Sequence, residues 1–209
     1  MEKLIYANGQ YKIRQLAGGE CLQELAEFIV RGNYKHHVGK HSYKCIRDEI
    51  NSAHQKERQY IDRFMIFVVR NNVGKILGLI RFFKWDSKKI LPIQKTLGIN
   101  LLKNTHTESD YSYRHIGRFA INSFTGIPTI TLFKQLMVYA VHPIVCDTKS
   151  YMIAETDSKL LKVMNDLDIE TIQTGQPVKY LASETTPVYA CKKGLLRFYK
   201  RYATLYKTS

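Results

Sequence analysis

The sequence has few residues of the kinds that cross-link a chain or interrupt its folding. Four cysteines are scattered through 209 residues without a CxxC pair, and there are only five prolines. This cysteine pattern is typical of neither a disulfide framework nor a zinc site, so we expect reduced, structural thiols. No segment has the composition of an interdomain linker, and residues 1–209 are therefore predicted to form a single domain.

Long apolar runs are also missing. The longest extends from Phe64 to Val69, whereas a membrane-spanning helix needs about 20 apolar residues. The opening MEKLIYANGQYKIRQL has no apolar signal core and no small-residue cleavage site, so export is not expected. With reduced cysteines, these features predict a cytoplasmic protein.

Acidic residues are scarce relative to basic ones. Asp and Glu number 18 against 32 Lys and Arg, which gives a formal net charge of +14. A surface of this charge attracts polyanions, whether nucleic acid, an anionic membrane or an acidic protein. Because the sequence has no helix-turn-helix, zinc finger or other nucleic-acid-binding motif, no nucleic acid is expected as a partner.

Hydrophobic periodicity predicts an α/β (α+β) fold with a twisted mixed central sheet flanked by helices. The predicted order is strand, two helices, three strands, helix, strand, helix and two strands. The clearest element is a hairpin of Phe64–Arg70 and Lys75–Lys84, with a turn at Asn71-Asn72-Val73-Gly74.

The region from about residue 20 to 60 is predicted to form a helical flap. Gly32 and Asn33 are expected to end its first helix, and a histidine-rich loop follows. No carboxylate or cysteine completes the histidine set in that loop, so no metal site is expected at His36, His37 and His41.

Alternating residues predict a further strand over Tyr113–Asn122. After Thr125, Gly126 and Pro128, a segment that is apolar on most sides predicts a buried helix to His142. Thr156 or Asp157 is predicted to cap the next helix.

Several segments, in this order, resemble the long-chain N-acyl amino acid synthases and acyl-homoserine-lactone synthases, which have the GNAT fold. The similarity extends over roughly residues 20–191. The segments that carry it are Phe28-Ile-Val-Arg31, Ile61-Asp62, Ile76-Leu-Gly-Leu-Ile-Arg81, Ile90-Leu-Pro-Ile-Gln-Lys-Thr-Leu-Gly-Ile99, Arg114-His-Ile-Gly-Arg-Phe-Ala-Ile121, Met152-Ile-Ala-Glu-Thr156 and Thr174-Gly-Gln-Pro177 with Tyr180 and Thr186-Pro-Val-Tyr-Ala190.

The resemblance implies a GNAT-like acyltransferase that moves a long acyl chain from acyl carrier protein or acyl-CoA to a small amine by direct thioester aminolysis. Such a reaction needs no bound cofactor and no metal. Two positions depart from the family pattern. His115 stands where the family has glutamate, and only Thr125-Gly126 represents the phosphate loop of acetyl-CoA enzymes.

The candidate catalytic residues are His115 and Glu155. A free imidazole has a pKa near 6.5, which suits it to accept a proton at neutral pH, and Glu155 is the second candidate base at a strand end. Alternatively, His115 packs within the sheet and Glu155 is a charge that favours the start of the next helix.

The resemblance also assigns substrate-binding positions. Arg81 and Arg118 lie in apolar strands and need a buried partner, and Asp62 is the candidate for that partner. The cluster expected to bind the acceptor's carboxylate, or to order the flap, consists of Arg31, Asp62, Arg81 and Arg118. The predicted pantetheine- and acyl-binding residues are Phe119, Ile121, Gly126, Thr129, Phe133 and Met137.

A basic helix is predicted at about residues 194–206. It is a solvated closing helix, a docking surface for acidic acyl carrier protein, or a site of transient contact with an anionic membrane. Two other functions are alternatives for the whole chain. An acetyl-CoA-dependent GNAT acetyltransferase is disfavoured by the weak phosphate loop, and a homoserine-lactone synthase proper is disfavoured by His115.

Overall fold

A computed structural model describes residues 2–17, 21–37, 43–58, 64–85, 90, 94, 111–180 and 183–207. The strands are β1 (Lys3–Ala7), β2 (Tyr11–Ala17), β3 (Phe64–Asn71), β4 (Ile76–Trp85), β5 (Ser112–Ile121), β6 (Ser150–Asp157), β7 (Ile172–Gln173), β8 (Val178–Tyr180) and β9 (Ser183–Cys191). The helices are α1 (Leu22–His37), α2 (Tyr43–Arg58), α3 (Thr129–Val145), α4 (Ser158–Asp166) and α5 (Lys192–Tyr202), followed by a 3-10 turn at Ala203–Leu205.

The described strands form one mixed sheet in the order β1-β2-β3-β4-β5-β6-β9-β7, and β8 pairs with β9. β5 and β6 are parallel, whereas β1–β2, β2–β3 and β6–β9 are antiparallel. This mixed sheet with helices confirms the α/β fold class.

The chain divides into two compact units. The first contains Met1–Phe82, Arg118–Met137 and Leu205–Ser209, and the second contains Phe83–Gly117 and Val138–Thr204. The expectation of a single domain stays a prediction.

In the first unit, the predicted hairpin is confirmed as β3 and β4. Most of its residues are buried, and the rings of Phe67 and Phe82 stack with centroids 5.5 Å apart. At its turn, the Asn71 side chain accepts a hydrogen bond from the backbone N–H of Lys75. The sequence interpretation missed β1, which pairs with β2 through a turn in which Asn8 accepts hydrogen bonds from the backbone N–H groups of Gln10 and Tyr11.

The first helix does not end at Gly32-Asn33, and this prediction was wrong. α1 continues to His37, so His36 and His37 are helical, while His41 lies outside the described residues. Ala26 and Val30 pack against Ile50 of α2, and Tyr34 joins the same cluster one turn later. A glycine within a helix costs only about 1 kcal/mol relative to alanine, so this packing outweighs the helix-breaking signal.

In the second unit, β6 leads directly into α4. Asp157 is the N-cap of α4, as one of the two predicted alternatives, and its carboxylate accepts a hydrogen bond from the backbone N–H of Leu160. The buried helix α3 extends to Val145, three residues beyond the predicted end at His142.

The basic helix α5 starts at Lys192 and ends at Tyr202, slightly earlier than predicted. Arg197 and Arg201 form exposed ion pairs with Glu170 and Asp168. Gly194 lies against the backbone of Glu170, whose N–H donates a hydrogen bond to the Gly194 carbonyl. None of the helices in the described ranges has the length and apolarity that a membrane crossing requires.

Gly194→Ala is expected to destabilise the protein by about 1–3 kcal/mol, because the added Cβ would overlap the Glu170 carbonyl oxygen and force the backbones apart. Urea unfolding followed by circular dichroism measures this change. The matched control is Gly32→Ala in α1, where the new Cβ meets open space and alanine should stabilise the helix by about 1 kcal/mol. Equal effects of the two substitutions would contradict the role assigned to the close approach at Gly194.

Candidate active site

The structure brings together the two candidate catalytic residues, which are 40 positions apart in the sequence. In the parallel ladder of β5 and β6, His115 is the register partner of Ile153. Glu155 lies two residues beyond Ile153 and therefore points to the same face of the sheet. The His115 Nε2 atom is 2.8 Å from both carboxylate oxygens of Glu155.

In this His–Glu pair the imidazole is buried and the carboxylate is partly buried. The side chain of His115 is 4% exposed and that of Glu155 is 18% exposed. The Phe83 ring lies against the imidazole, with centroids 5.0 Å apart. In these surroundings a polar group loses water and needs a protein partner, which the carboxylate provides for Nε2.

The second imidazole nitrogen is in a different position. His115 Nδ1 is also buried, and no atom of the described residues forms a hydrogen bond with it. The short contacts to the carboxylate assign the proton of a neutral imidazole to Nε2, which leaves the lone pair on Nδ1. A histidine that is oriented by a carboxylate and carries a free lone pair is the arrangement of a general base.

The His–Glu pair lies where the parallel ladder stops. The last register pair of β5 and β6 is Ile116 with Ala154, one residue after His115. β6 continues to pair with β9 as far as Asp157. Arg118, two residues after the last pair, has a positive φ of 51°, which is uncommon outside glycine and is concentrated at functional sites.

A group of aromatic side chains adjoins the pair, and the sequence interpretation missed it. The rings of Tyr113 and Tyr151 stack at 5.8 Å, Tyr111 meets Tyr151 edge-on at 5.2 Å, and Tyr189 lies 6.2 Å from Tyr151. We call these four residues the tyrosine face. Trp85 extends it through an edge contact with Tyr113 at 5.8 Å.

The signal for this face was present as tyrosines at alternate positions, Tyr111 and Tyr113, before His115. What the sequence does not contain is the register that adds Tyr151 and Tyr189. Burial, together with the neighbouring Tyr111, raises the pKa of the Tyr151 hydroxyl, so this group keeps its proton well above neutral pH.

The candidate arginines lie in the first unit. Arg81 is buried at 6% exposure, and its guanidinium lies 5.6 Å from the centre of the Phe64 ring. Arg31 is exposed and pairs with Glu27 one helical turn earlier, with Nε and Oε1 2.7 Å apart. Asp62 lies outside the described residues. The substrate-binding roles of this cluster stay predictions.

The residues predicted to bind pantetheine and the acyl chain are also in the first unit. Phe119 and Phe133 meet edge-on at 5.1 Å, and Met137 is buried. Ile121 packs beside Gly78, where an added Cβ would be 3.2 Å from its side chain. Gly126, with φ of 74°, lines a cavity of about 540 Å³ together with Lys75 and Asn122, and the exposed Thr129 begins α3.

No group of three or more histidine, cysteine or acidic side chains suited to a metal ion occurs in the described part of the chain.

Comparison with solved structures identifies the fold. No protein-family model matches the sequence, and no curated protein matches it. The acyl-homoserine-lactone synthase LasI is 14% identical, with a TM-score of 0.63 over 92% of this chain and 96% of LasI. FeeM, an N-acyl amino acid synthase from uncultured soil microbes, is 13% identical, with a TM-score of 0.58 over 87% and 95% of the two chains.

A third neighbour is BjaI, a CoA-dependent acyl-homoserine lactone synthase. It is 10% identical, with a TM-score of 0.61 over 97% of this chain and 90% of BjaI. The chain therefore has the GNAT-like fold of these synthases, as the resemblance implied. At these identities the likeness establishes the fold alone.

A double-mutant cycle with His115→Phe, Glu155→Leu and both together should show coupling between the two side chains of about 1–3 kcal/mol. Each single variant leaves a buried polar partner unsatisfied, whereas the double variant replaces both groups by apolar ones. Urea unfolding supplies the four free energies. The exposed pair of Arg197 and Glu170 is the control, and the same cycle there should give under about 1 kcal/mol. Additive effects at His115 and Glu155 would contradict the geometry of the pair.

Proposed function

We propose that this protein is an N-acyltransferase that transfers a fatty acyl group from a thioester donor to the amine of an amino acid or related small molecule. The observation that carries the proposal is the buried His–Glu pair at the end of the parallel ladder. The GNAT-like fold, which the chain has in common with synthases of acyl-homoserine lactones and N-acyl amino acids, supports the same reaction class.

In the proposed reaction the neutral amine attacks the thioester carbonyl, and a C–N bond forms. His115 Nδ1 takes the proton that the nitrogen must lose, and the resulting imidazolium donates through Nε2–H to Glu155. The carboxylate stabilises that cation in place. When the tetrahedral intermediate collapses, the C–S bond breaks and the imidazolium returns the proton to the departing thiolate.

The imidazole of His115 and the carboxylate of Glu155 have separate roles in this reaction. His115 is the base, and Glu155 is a positioning residue that sets its tautomer. The family to which the sequence is similar has glutamate at the position of His115. In this chain the carboxylate is instead contributed by the neighbouring strand, and it acts through the imidazole.

The donor is a thioester of acyl carrier protein or of CoA. Both are anionic, and a protein with a net charge of +14 attracts either one by long-range electrostatics. We assign the phosphate of the pantetheine arm to the start of α3, after Gly126, where the backbone N–H groups of Thr129 and Ile130 have no carbonyl partner within the helix and favour an anion. Exposed lysines on α5, such as Lys193 and Lys200, would add to the attraction for an acidic carrier protein.

The test is a transfer assay with purified protein, in which acyl-CoA and acyl-carrier-protein donors of several chain lengths are offered with a mixture of amines. Mass spectrometry identifies the amide, and a thiol reagent measures release of the carrier. Amide formation that depends on the protein is expected with long-chain donors. Transfer restricted to acetyl-CoA would support an acetyltransferase instead, and no transfer with any donor would refute the proposal.

His115→Gln should lower kcat/KM by about 10²–10⁴-fold, because proton transfer by a positioned base contributes that much. Glu155→Gln should retain more activity than His115→Gln, since the amide oxygen can still accept a hydrogen bond from Nε2–H. The matched control is His54→Gln on α2, which should behave as the wild type. If His115→Gln leaves the rate and its pH profile unchanged, His115 is not the base.

A further inference from the structure

The tyrosine face lies on the same side of the sheet as the His–Glu pair. Tyr113 and Tyr151 are register partners in the parallel ladder, and His115 and Ile153 are the partners two positions later. Side chains two residues apart share a face and are separated by about 6–7 Å along the strand. Ile153 is in turn the register partner of Tyr189 on β9. The rings therefore extend over three neighbouring strands beside the imidazole.

Three of the four tyrosines are partly accessible. Tyr113 is buried at 4% exposure, whereas Tyr111, Tyr151 and Tyr189 are of intermediate exposure. Tyr151 is the centre of the group, because it contacts each of the other three. A single partly buried tyrosine is ordinary, but here three neighbouring tyrosines are partly exposed together, and their exposed parts form a surface that a ligand can cover.

We propose that the tyrosine face binds the acceptor through a planar aromatic ring and thereby selects arylalkyl amines as acceptors, with Tyr151 as the main specificity-determining residue. The reaction named in this statement rests on the proposed function, but the binding of the amine does not. Aromatic rings favour offset-stacked or edge-on neighbours, and the four tyrosines offer both geometries to a further ring.

The reacting group of such an acceptor matches the position of the base. An arylalkyl amine carries its nitrogen one or two carbon atoms beyond the ring, a reach similar to the 6–7 Å spacing along the strand. A ring stacked on Tyr151 would thus place the nitrogen beside His115. In water the amine is mostly an ammonium cation, which releases one proton to solvent before the attack, and the negative faces of aromatic rings attract cations as well.

The face suits the acceptor better than the acyl chain. A saturated acyl chain packs equally well on any apolar surface and cannot form hydrogen bonds with the four hydroxyl groups. Each tyrosine instead offers a flat apolar ring together with a polar edge. The raised pKa of the Tyr151 hydroxyl keeps that group neutral and able to donate a hydrogen bond.

The first experiment measures binding by titration calorimetry without any donor. The probes are 2-phenylethylamine and 2-cyclohexylethylamine, which have similar shape and charge, while only the first has an aromatic ring. We expect the wild type to bind the phenyl compound about 3- to 10-fold more tightly, because contact between aromatic rings adds binding free energy to that gained by burying apolar surface. Tyr151→Leu should abolish this preference, and Tyr151→Phe should preserve it because the ring remains.

Tyr6→Leu is the matched control, since Tyr6 forms an aromatic pair with Tyr11 in the first unit. It should leave the preference unchanged. Thermal unfolding of each variant confirms that it is folded, and Tyr151→Phe keeps the proposal testable if Tyr151→Leu is not. Equal binding of the two probes by the wild type, or an unchanged preference in Tyr151→Leu, would overturn the proposal.

The second experiment separates this proposal from the proposed function. In the transfer assay, Tyr151→Leu should raise KM for an aromatic amine about 3- to 10-fold while KM for the thioester stays constant. A rise in the thioester KM instead would mean that the face holds the acyl chain, and it would overturn the proposal. Selective binding of the phenyl probe without transfer from any donor would support the aromatic site and refute only the acyltransferase activity. Transfer without ring preference would refute only the aromatic site.

Discussion

The parallel pairing of β5 with β6 is the constraint on which the rest of the site depends. Its register places His115 beside Ile153 and so brings Glu155 within 2.8 Å of the imidazole. The same register stacks Tyr113 on Tyr151. Side chains alternate between the two faces of a strand, so a shift of one residue would turn Glu155 and Tyr151 to the opposite face. The pair and the tyrosine face therefore form together or not at all.

Burial makes the His–Glu pair costly to leave incomplete. An imidazole with almost no exposure has lost its water, and the carboxylate replaces only the half of that hydration that Nε2 needs. Nδ1 has no hydrogen-bond partner among the described residues, so the loss of its hydration is not compensated. An apolar group at the same position would carry no such desolvation cost. A buried lone pair that stability does not require is understandable if a substrate proton is its partner during turnover, because functional sites are where local rules are broken.

Local signals in the sequence predicted the elements that depend on local chemistry. The turn at Asn71-Asn72-Val73-Gly74 gave the hairpin, and the carboxylate of Asp157 gave the start of α4. Where tertiary packing competes with a local signal, the interpretation failed, as at Gly32, where contacts of α1 with α2 carry the helix onward. His115 and Glu155 were each identified singly. Their contact depends on a parallel register set by everything between the two strands, including α3, and no local pattern encodes that distance.

The His–Glu pair also gives a physical reason for the departure from the family pattern at His115. A glutamate at that position on β5, next to the carboxylate of Glu155, would place two like charges in a buried site, and one of them would have to keep its proton. An imidazole at the same position converts the repulsion into a hydrogen-bonded pair, and in the proposed reaction the basic atom is then Nδ1. Histidine at position 115 and glutamate at position 155 therefore depend on each other. On this argument Glu155 would be unfavourable beside a glutamate base, and His115 without Glu155 would lack the group that fixes its tautomer.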